Sequence, residues 1–327
     1  MNKKIRVGII GGAGYTGGEL IRLLVNHPMS ELIFVHSKSN AGKPLHAVHQ
    51  DLMNETDMQF SAFANDDVDI LFLCTGHGDS KKYLEENEIP ADVKIISLSQ
   101  DFRLKTNSEF KNKTFVYGLP EINREKTRTA DYVANPGCFA TSIELGLLPL
   151  AKMNEINEVY TTGITGSTGA GQSLSTTAHF SWRQNNIQAY KSLTHQHLDE
   201  INESLNSLSG TSSASIHFIP WRGDFTRGIF VTSQLRSSRQ LEELYELFYE
   251  FYNDHPFVKV SKEPIFLKQA VNTNNCFIHL EKEKDNLVVH STLDNLLKGA
   301  SGQALQNMNL MFGFDETMGL KLKANYF

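Results

Sequence analysis

A chain of 327 residues is longer than one compact domain usually runs, so two domains, each with its own core, are expected. With 40% hydrophobic and 21% charged residues the composition is ordinary globular, which excludes a disordered or fibrous protein. A formal net charge of -6 excludes attachment to nucleic acid through a basic surface, and no apolar run reaches membrane-spanning length.

Met1-Asn2-Lys3-Lys4 runs straight into an apolar strand over residues 5–10, so no signal peptide is expected. A glycine-rich turn follows, then an amphipathic helix over 19–25 and a second strand over 32–35. Further strands are expected over 69–74 and 93–98. This alternation implies an α/β fold, a Rossmann-type, doubly wound parallel sheet. After Pro149 the pattern changes to strands over 158–164, 215–220 and 228–235 with a helix over 240–252, which suggests an α+β second domain. Residues 302–311 read as a helix that packs back on the first domain, so the expected division is 1–139 plus 302–327 against 140–301.

Gly12-Ala13-Gly14-Tyr15-Thr16-Gly17 has G-x-G-x-x-G spacing directly after a strand and before a helix, where glycines let a pyrophosphate approach a helix N-terminus. The acidic residue that would hold a ribose 2′-hydroxyl at the end of the second strand is replaced by His36-Ser37-Lys38-Ser39. Ser37 and Lys38 there favour a 2′-phosphate, hence NADP(H) over NAD.

Cys74, Cys138 and Cys276 are too few and too scattered for a disulfide framework or a zinc site, so no metal is expected and a reducing cytoplasm fits best. Cys74 and Cys276 fall in buried strands, whereas Cys138 follows the turn Asn135-Pro136-Gly137 and precedes a helix over 141–148. A thiol at a helix N-terminus is stabilised as thiolate, which makes Cys138 the candidate nucleophile. Its proton partner is sought in Thr194-His195-Gln196-His197-Leu198-Asp199-Glu200. Residues two apart point in different directions, so one of His195 and His197 is expected to act directly. A helix from Leu198 would place Glu200 on one face with His197 and let it orient the imidazole. A nicotinamide, a cysteine and a histidine together suit chemistry between acyl and aldehyde oxidation levels, because a thioester accepts hydride where a carboxylate does not.

These motifs, with Ser97-Leu98-Ser99-Gln100-Asp101-Phe102-Arg103-Leu104, Tyr117-Gly118-Leu119-Pro120-Glu121 and Asp294-Asn295-Leu296-Leu297-Lys298-Gly299-Ala300, give nearly the whole chain a resemblance. It resembles the N-acyl-γ-glutamyl-phosphate reductases of arginine biosynthesis, within the aspartate-semialdehyde dehydrogenase-like group. The resemblance implies that Cys138 attacks a γ-acyl phosphate, inorganic phosphate leaves, and NADPH reduces the thioester to an N-acyl-glutamate 5-semialdehyde. It further implies a homodimer or homotetramer. His197 or His195 would handle the proton, Gly169 and Asn295 would lie beside the cofactor, and Arg227 would meet a substrate carboxylate. Arg103 would hold the leaving phosphate or else pair with Asp101 or Glu121.

Two departures stand out: Gln172 and Gln196 occupy positions where relatives commonly carry Arg, and Trp221-Arg222-Gly223-Asp224 replaces a segment richer in His and Leu. Positive charge near the substrate is thus redistributed, which leaves the acyl group open among acetyl, succinyl and a carrier-bound form, with Arg222 the expected contact for a succinyl carboxylate. The alternatives are an aspartate-semialdehyde dehydrogenase and a non-catalytic NADP-binding sensor, which would need neither Cys138 nor the histidines.

Overall fold

The computed structural model describes residues 3–65, 67–209 and 214–327. The chain folds as two compact units, Met1–Gly137 with Ala300–Lys321, and Cys138–Gly299 with Leu322–Phe327.

The first unit alternates β1 (Ile5–Ile10), α1 (Tyr15–Val25), β2 (Ser30–His36), β3 (Phe60–Ser61), β4 (Ile70–Leu73), α2 (Asp79–Glu86), β5 (Lys94–Ser97), β6 (Glu109–Phe110), β7 (Lys113–Tyr117), α3 (Pro120–Thr129) and β8 (Tyr132–Ala134). The eight strands lie in the order β3-β2-β1-β4-β5-β8-β7-β6, and every neighbouring pair is parallel except β6 with β7. Apolar runs with little alternation, as in β4, are what strands covered on both faces require. The order reverses between β1 and β4, and the crevice beyond the carboxyl ends of such a switch point is where doubly wound sheets bind ligands.

The second unit comprises α4 (Cys138–Lys152), β9 (Glu158–Thr165), α5 (Phe180–Arg183), β10 (Gln188–Ala189), α6 (His197–Ser209), β11 (Ser215–Arg222), β12 (Ile229–Arg236), α7 (Leu241–Tyr252), β13 (Val258–Ser261), β14 (Cys276–Glu283) and β15 (Asn286–Leu293). Its mixed sheet runs β10-β11-β9-β12-β15-β14-β13, with β9 parallel to β11 and β13 parallel to β14. Helices α4, α6 and α7 pack on one face. On the other face the alternation of β9 leaves Tyr160 exposed, stacked on His217 of β11, and Ile219, opposite Thr162, is exposed too.

One helix differs from the sequence expectation and another matches it. The sequence predicts a helix ending at Leu148, but α4 continues through Pro149 to Lys152. Proline there has no N–H for the Leu145 carbonyl one turn back, and the buried Tyr252 hydroxyl of α7 donates to that carbonyl instead. The segment 302–311 is α8 (Gly302–Met311), which returns to the first unit and packs against α1 and α3. It is buried along its whole length although it carries Gln303, Gln306, Asn307 and Asn309. The Asn307 amide donates to the Gly118 carbonyl at 2.8 Å and to Asn135 Oδ1 at 3.1 Å, so it stitches the loops around α3 and β8. Among the described residues no helix is long and apolar enough to cross a membrane.

Candidate active site

In the first unit the turn after β1 is tighter than side chains permit. Gly11 has φ +80°, a Cβ on Gly12 would lie 2.1 Å from Val35 Cγ1, and one on Gly17 would lie 2.7 Å from Gly12 Cα. The Gly12 N–H donates to the His36 carbonyl at 3.0 Å, which ties the turn to the end of β2. Gly14 is the N-cap of α1, without a side-chain cap, and the first turn, which begins at Tyr15 and Thr16, holds no acidic residue. A Cβ on Gly14 would meet only the Gly11 carbonyl, at 3.9 Å, so the approach to the helix N-terminus beside Ala13 and Gly14 is open. Backbone N–H groups and the positive end of a helix behind an open glycine edge suit a pyrophosphate. At the end of β2, Ser37 is buried and Lys38 is exposed in a short turn; burial first and the Lys38 charge second lower the His36 pKa.

In the second unit Cys138 is the first residue of α4, and His197 the first of α6. These two helices pack on each other, and each precedes one strand of the parallel pair β9 and β11. A helix that feeds a strand of the same layer runs antiparallel to it, so both helix N-termini lie at the carboxyl ends of those strands. That topology brings together residues about sixty apart in sequence. The Phe139 ring meets the His195 ring edge-on at 5.7 Å and that of Phe218 at 5.0 Å. Gly299 is a close approach: a Cβ there would lie 2.8 Å from Cys138 Cβ. Cys74 and Cys276 are buried, and burial pushes the Cys74 thiol up to about 12. Cys138 is the more accessible thiol.

The two histidines diverge less than their spacing suggests. Because His195 lies in the turn before α6, its ring stacks edge-on against that of His197 at 4.6 Å. The His197 N–H donates to His195 Nδ1 at 3.2 Å, so a neutral His195 carries its proton on Nε2. Burial first, and the Lys191 charge second, lower the His195 pKa to about 4. Glu200, one turn into α6 and buried, brings Oε1 to 3.8 Å from His197 Nε2. Gln196 accepts from Lys191 Nζ at 2.8 Å, so the cation in this turn is supplied by Lys191.

Sequence reasoning missed Tyr190, whose ring lies 5.8 Å from that of His195. Burial first, and then the Cys138 charge, raise its pKa, so it stays a protonated phenol. Nothing local marks it, because β10 joins the edge of the sheet only through pairing with Trp221 and Arg222.

The remaining candidates hold loops. Arg103 is buried and donates from Nε to the Asn135 carbonyl and from Nη2 to the Leu98 carbonyl, each at 2.9 Å. Asp101 accepts instead from the N–H groups of Gly78 and Lys81. Arg227 forms a two-pronged pair with the fully buried Asp294, both hydrogen bonds at 3.1 Å. Asn295 accepts from the Gly228 N–H at 2.7 Å and donates to Thr168 Oγ1 at 3.0 Å, so it binds the loop holding Gly169 to the start of β12. Among the described residues no group of three His, Cys, Asp or Glu could hold a metal ion.

The semialdehyde dehydrogenase NAD-binding domain matches residues 6–130, and the semialdehyde dehydrogenase dimerisation domain matches residues 138–295. The chain is similar to the N-acetyl-γ-glutamyl-phosphate reductase of Christiangramia forsetii, 52% identical over 99% of this chain and 100% of the relative. It is equally similar to that of Bacteroides thetaiotaomicron, 54% identical over the same shares. In fold it is similar to aspartate semialdehyde dehydrogenase II of Vibrio cholerae, with TM-score 0.73 and 16% identity over 95% of this chain and 99% of that one. The enzyme from Candida albicans, solved with NADP, gives TM-score 0.70 and 15% identity over the same shares. With more than half of its residues shared along its full length, the chain belongs to the N-acetyl-γ-glutamyl-phosphate reductase family, within the semialdehyde dehydrogenase fold.

Proposed function

We propose that the chain reduces an N-acyl-γ-glutamyl phosphate to N-acyl-glutamate 5-semialdehyde and inorganic phosphate, with NADPH as reductant. The observation that carries this is the convergence of Cys138 with His195, His197 and Glu200 at one end of the second unit. The Cys138 thiolate attacks the acyl carbon, the C–O bond to phosphate breaks, and a thioester remains on the enzyme. When bound on the glycine turn at α1, the nicotinamide supplies the hydride that reduces the thioester carbon. His197 then protonates the resulting oxygen and takes the proton back as the C–S bond breaks, which returns the thiolate and releases the aldehyde.

His197 is assigned this role over His195 because Glu200 stabilises its imidazolium, whereas His195, with its pKa near 4, stays neutral at physiological pH and supports the ring of its neighbour. Arg103 is anchored on the carbonyl of Asn135, three residues before the nucleophile, and is assigned to the leaving phosphate on that proximity in the chain. Arg227 is assigned to positioning, since Asp294 already neutralises it. Ser37 and Lys38 are assigned to the 2′-phosphate, and Gly169, held by Asn295, to the loop beside the nicotinamide.

The family's dimerisation domain supports a homodimer, or a homotetramer built from it, with the exposed face of the second sheet as the interface. Free cysteines support a cytoplasmic location.

The test is the reverse reaction with NADP⁺, inorganic phosphate and N-acetyl- or N-succinyl-glutamate 5-semialdehyde. NADPH formation that depends on phosphate is expected, and the faster aldehyde identifies the acyl group. Activity on aspartate semialdehyde alone would assign the chain to that enzyme, and no activity on any of the three would point to a non-catalytic nucleotide sensor.

A further inference from the structure

Two arginines lie near each other around Tyr190: Arg183 donates to the carbonyl of Gly223, the residue after Arg222. Arg222, the last residue of β11, lies over the Tyr190 ring at 4.7 Å from its centroid and donates to Thr177 Oγ1 at 2.9 Å. Arg183, the last residue of α5, donates to the Gly223 carbonyl, and its Nε is buried with no partner among the described residues. Burial first, and then the charge of Arg222, hold the Arg183 guanidinium below its ordinary pKa, while Asp224 and Tyr190 act in the opposite direction. Asp224 accepts the Asn185 N–H at 2.7 Å, and neither arginine forms an ion pair among the described residues.

Two half-buried guanidiniums around one tyrosine repel each other, and an anion that bridges them removes that repulsion and satisfies their donors. Tyr190 ties this place to the reaction centre through His195 and through the charge of Cys138. The reacting end of the substrate belongs at Cys138, so what reaches the arginines is the other end. Arg227 does not compete for it, being held by Asp294.

We propose that Arg183 and Arg222 form a carboxylate subsite that takes a non-reacting carboxylate of the substrate. This rests on the acyl-phosphate reading above. The carboxylate has two sources: the α-carboxylate common to all N-acyl-glutamyl substrates, and the terminal carboxylate of a dicarboxylic acyl group such as succinyl.

The experiment measures kcat and KM for both N-acetyl- and N-succinyl-glutamate 5-semialdehyde with the parent, Arg183→Met, Arg222→Met and Arg222→Lys. A rise in KM on the order of 10- to 100-fold in the Met variants, partly restored in Arg222→Lys, is the expected result, with kcat within a few-fold. A rise confined to the succinyl substrate identifies the acyl carboxylate, and an equal rise for both identifies the α-carboxylate. Unchanged KM for both substrates in both Met variants overturns the subsite while leaving the parent's activity, and hence the proposed function, intact. If the parent turns over neither aldehyde, the function fails first, and a binding arm still judges the arginines. N-Succinyl-glutamate slowing alkylation of Cys138 in the parent but not in Arg183→Met supports the subsite, and equal rates in the two overturn it. If a Met variant does not fold, Arg183→Lys and Arg222→Lys take its place: both keep the charge but lose the planar fork, so a KM raised several-fold supports the subsite and an unchanged KM overturns it.

Discussion

Cys138 stands at the start of a helix and is partly accessible, whereas Cys74, just past the end of β4, and Cys276, in β14, are buried. Iodoacetamide near neutral pH is therefore expected to label Cys138 ahead of Cys74, whose thiol stays protonated, and of the fully buried Cys276. Cys138→Ser should bind nucleotide as the parent does and lose turnover by several orders of magnitude; residual turnover near the parental rate would overturn the thioester. His195 makes a separate prediction. Its pKa falls from 6.5 to about 4 on folding, so the unfolded chain takes up the proton first as the pH drops. Stability is intact above pH 6.5 and is lost as the pH falls toward 4, by about 3 kcal/mol from this group. Urea melts of His195→Gln should show a shallower loss across that window, and an equal slope would remove His195 from the account. Cys138 and the histidine pair stood out as candidates in the chain because a Pro-Gly turn before a helix and a His-x-His run are local patterns. Tyr190 and Arg183 were not, since their roles arise only from what the folded edge of the sheet places beside them.

At the scale of elements, two close fits depend on residues far apart in sequence. Gly299 leaves room for Cys138 at a distance no side chain tolerates, and Asp294, which accepts both from Arg227 and from the Leu296 and Leu297 N–H groups, holds that turn. Gly299→Ala should push the nucleophile aside and lower kcat on the order of a hundredfold with nucleotide affinity retained. An unaltered kcat would show that the approach has slack. The motif around Gly299 was visible from the start, but its purpose was not, because the partner of the glycine is 161 positions away. Pro149 suggested the end of a helix, and α4 nevertheless runs on, since the Tyr252 hydroxyl takes over the carbonyl that proline leaves without a donor. Tyr252→Phe should lower stability by about 1–3 kcal/mol in chemical denaturation, the cost of a buried carbonyl without a partner.

On the scale of the whole molecule, the second unit covers one face of its sheet with α4, α6 and α7 and leaves Tyr160 and Ile219 exposed on the other. Apolar side chains on an open sheet face are what a subunit interface covers. Sedimentation of Ile219→Glu is expected to show a smaller assembly than the parent's, and an unchanged assembly would move the interface elsewhere. The doubly wound sheet, the glycine turn, the cofactor class and the place of Cys138 at a helix start could all be read from the chain, because each rests on short-range order: apolar period, glycine spacing, a turn before a helix. The packing of Phe139, next to Cys138, against His195 and of His195 against His197, the neutral state of His195, the pairing of Arg227 with Asp294 and the proximity of Arg183 to Arg222 belong to the tertiary structure alone. Parallel strands joined by crossover helices gather the ends of distant segments at one edge, and burial there sets which groups carry charge.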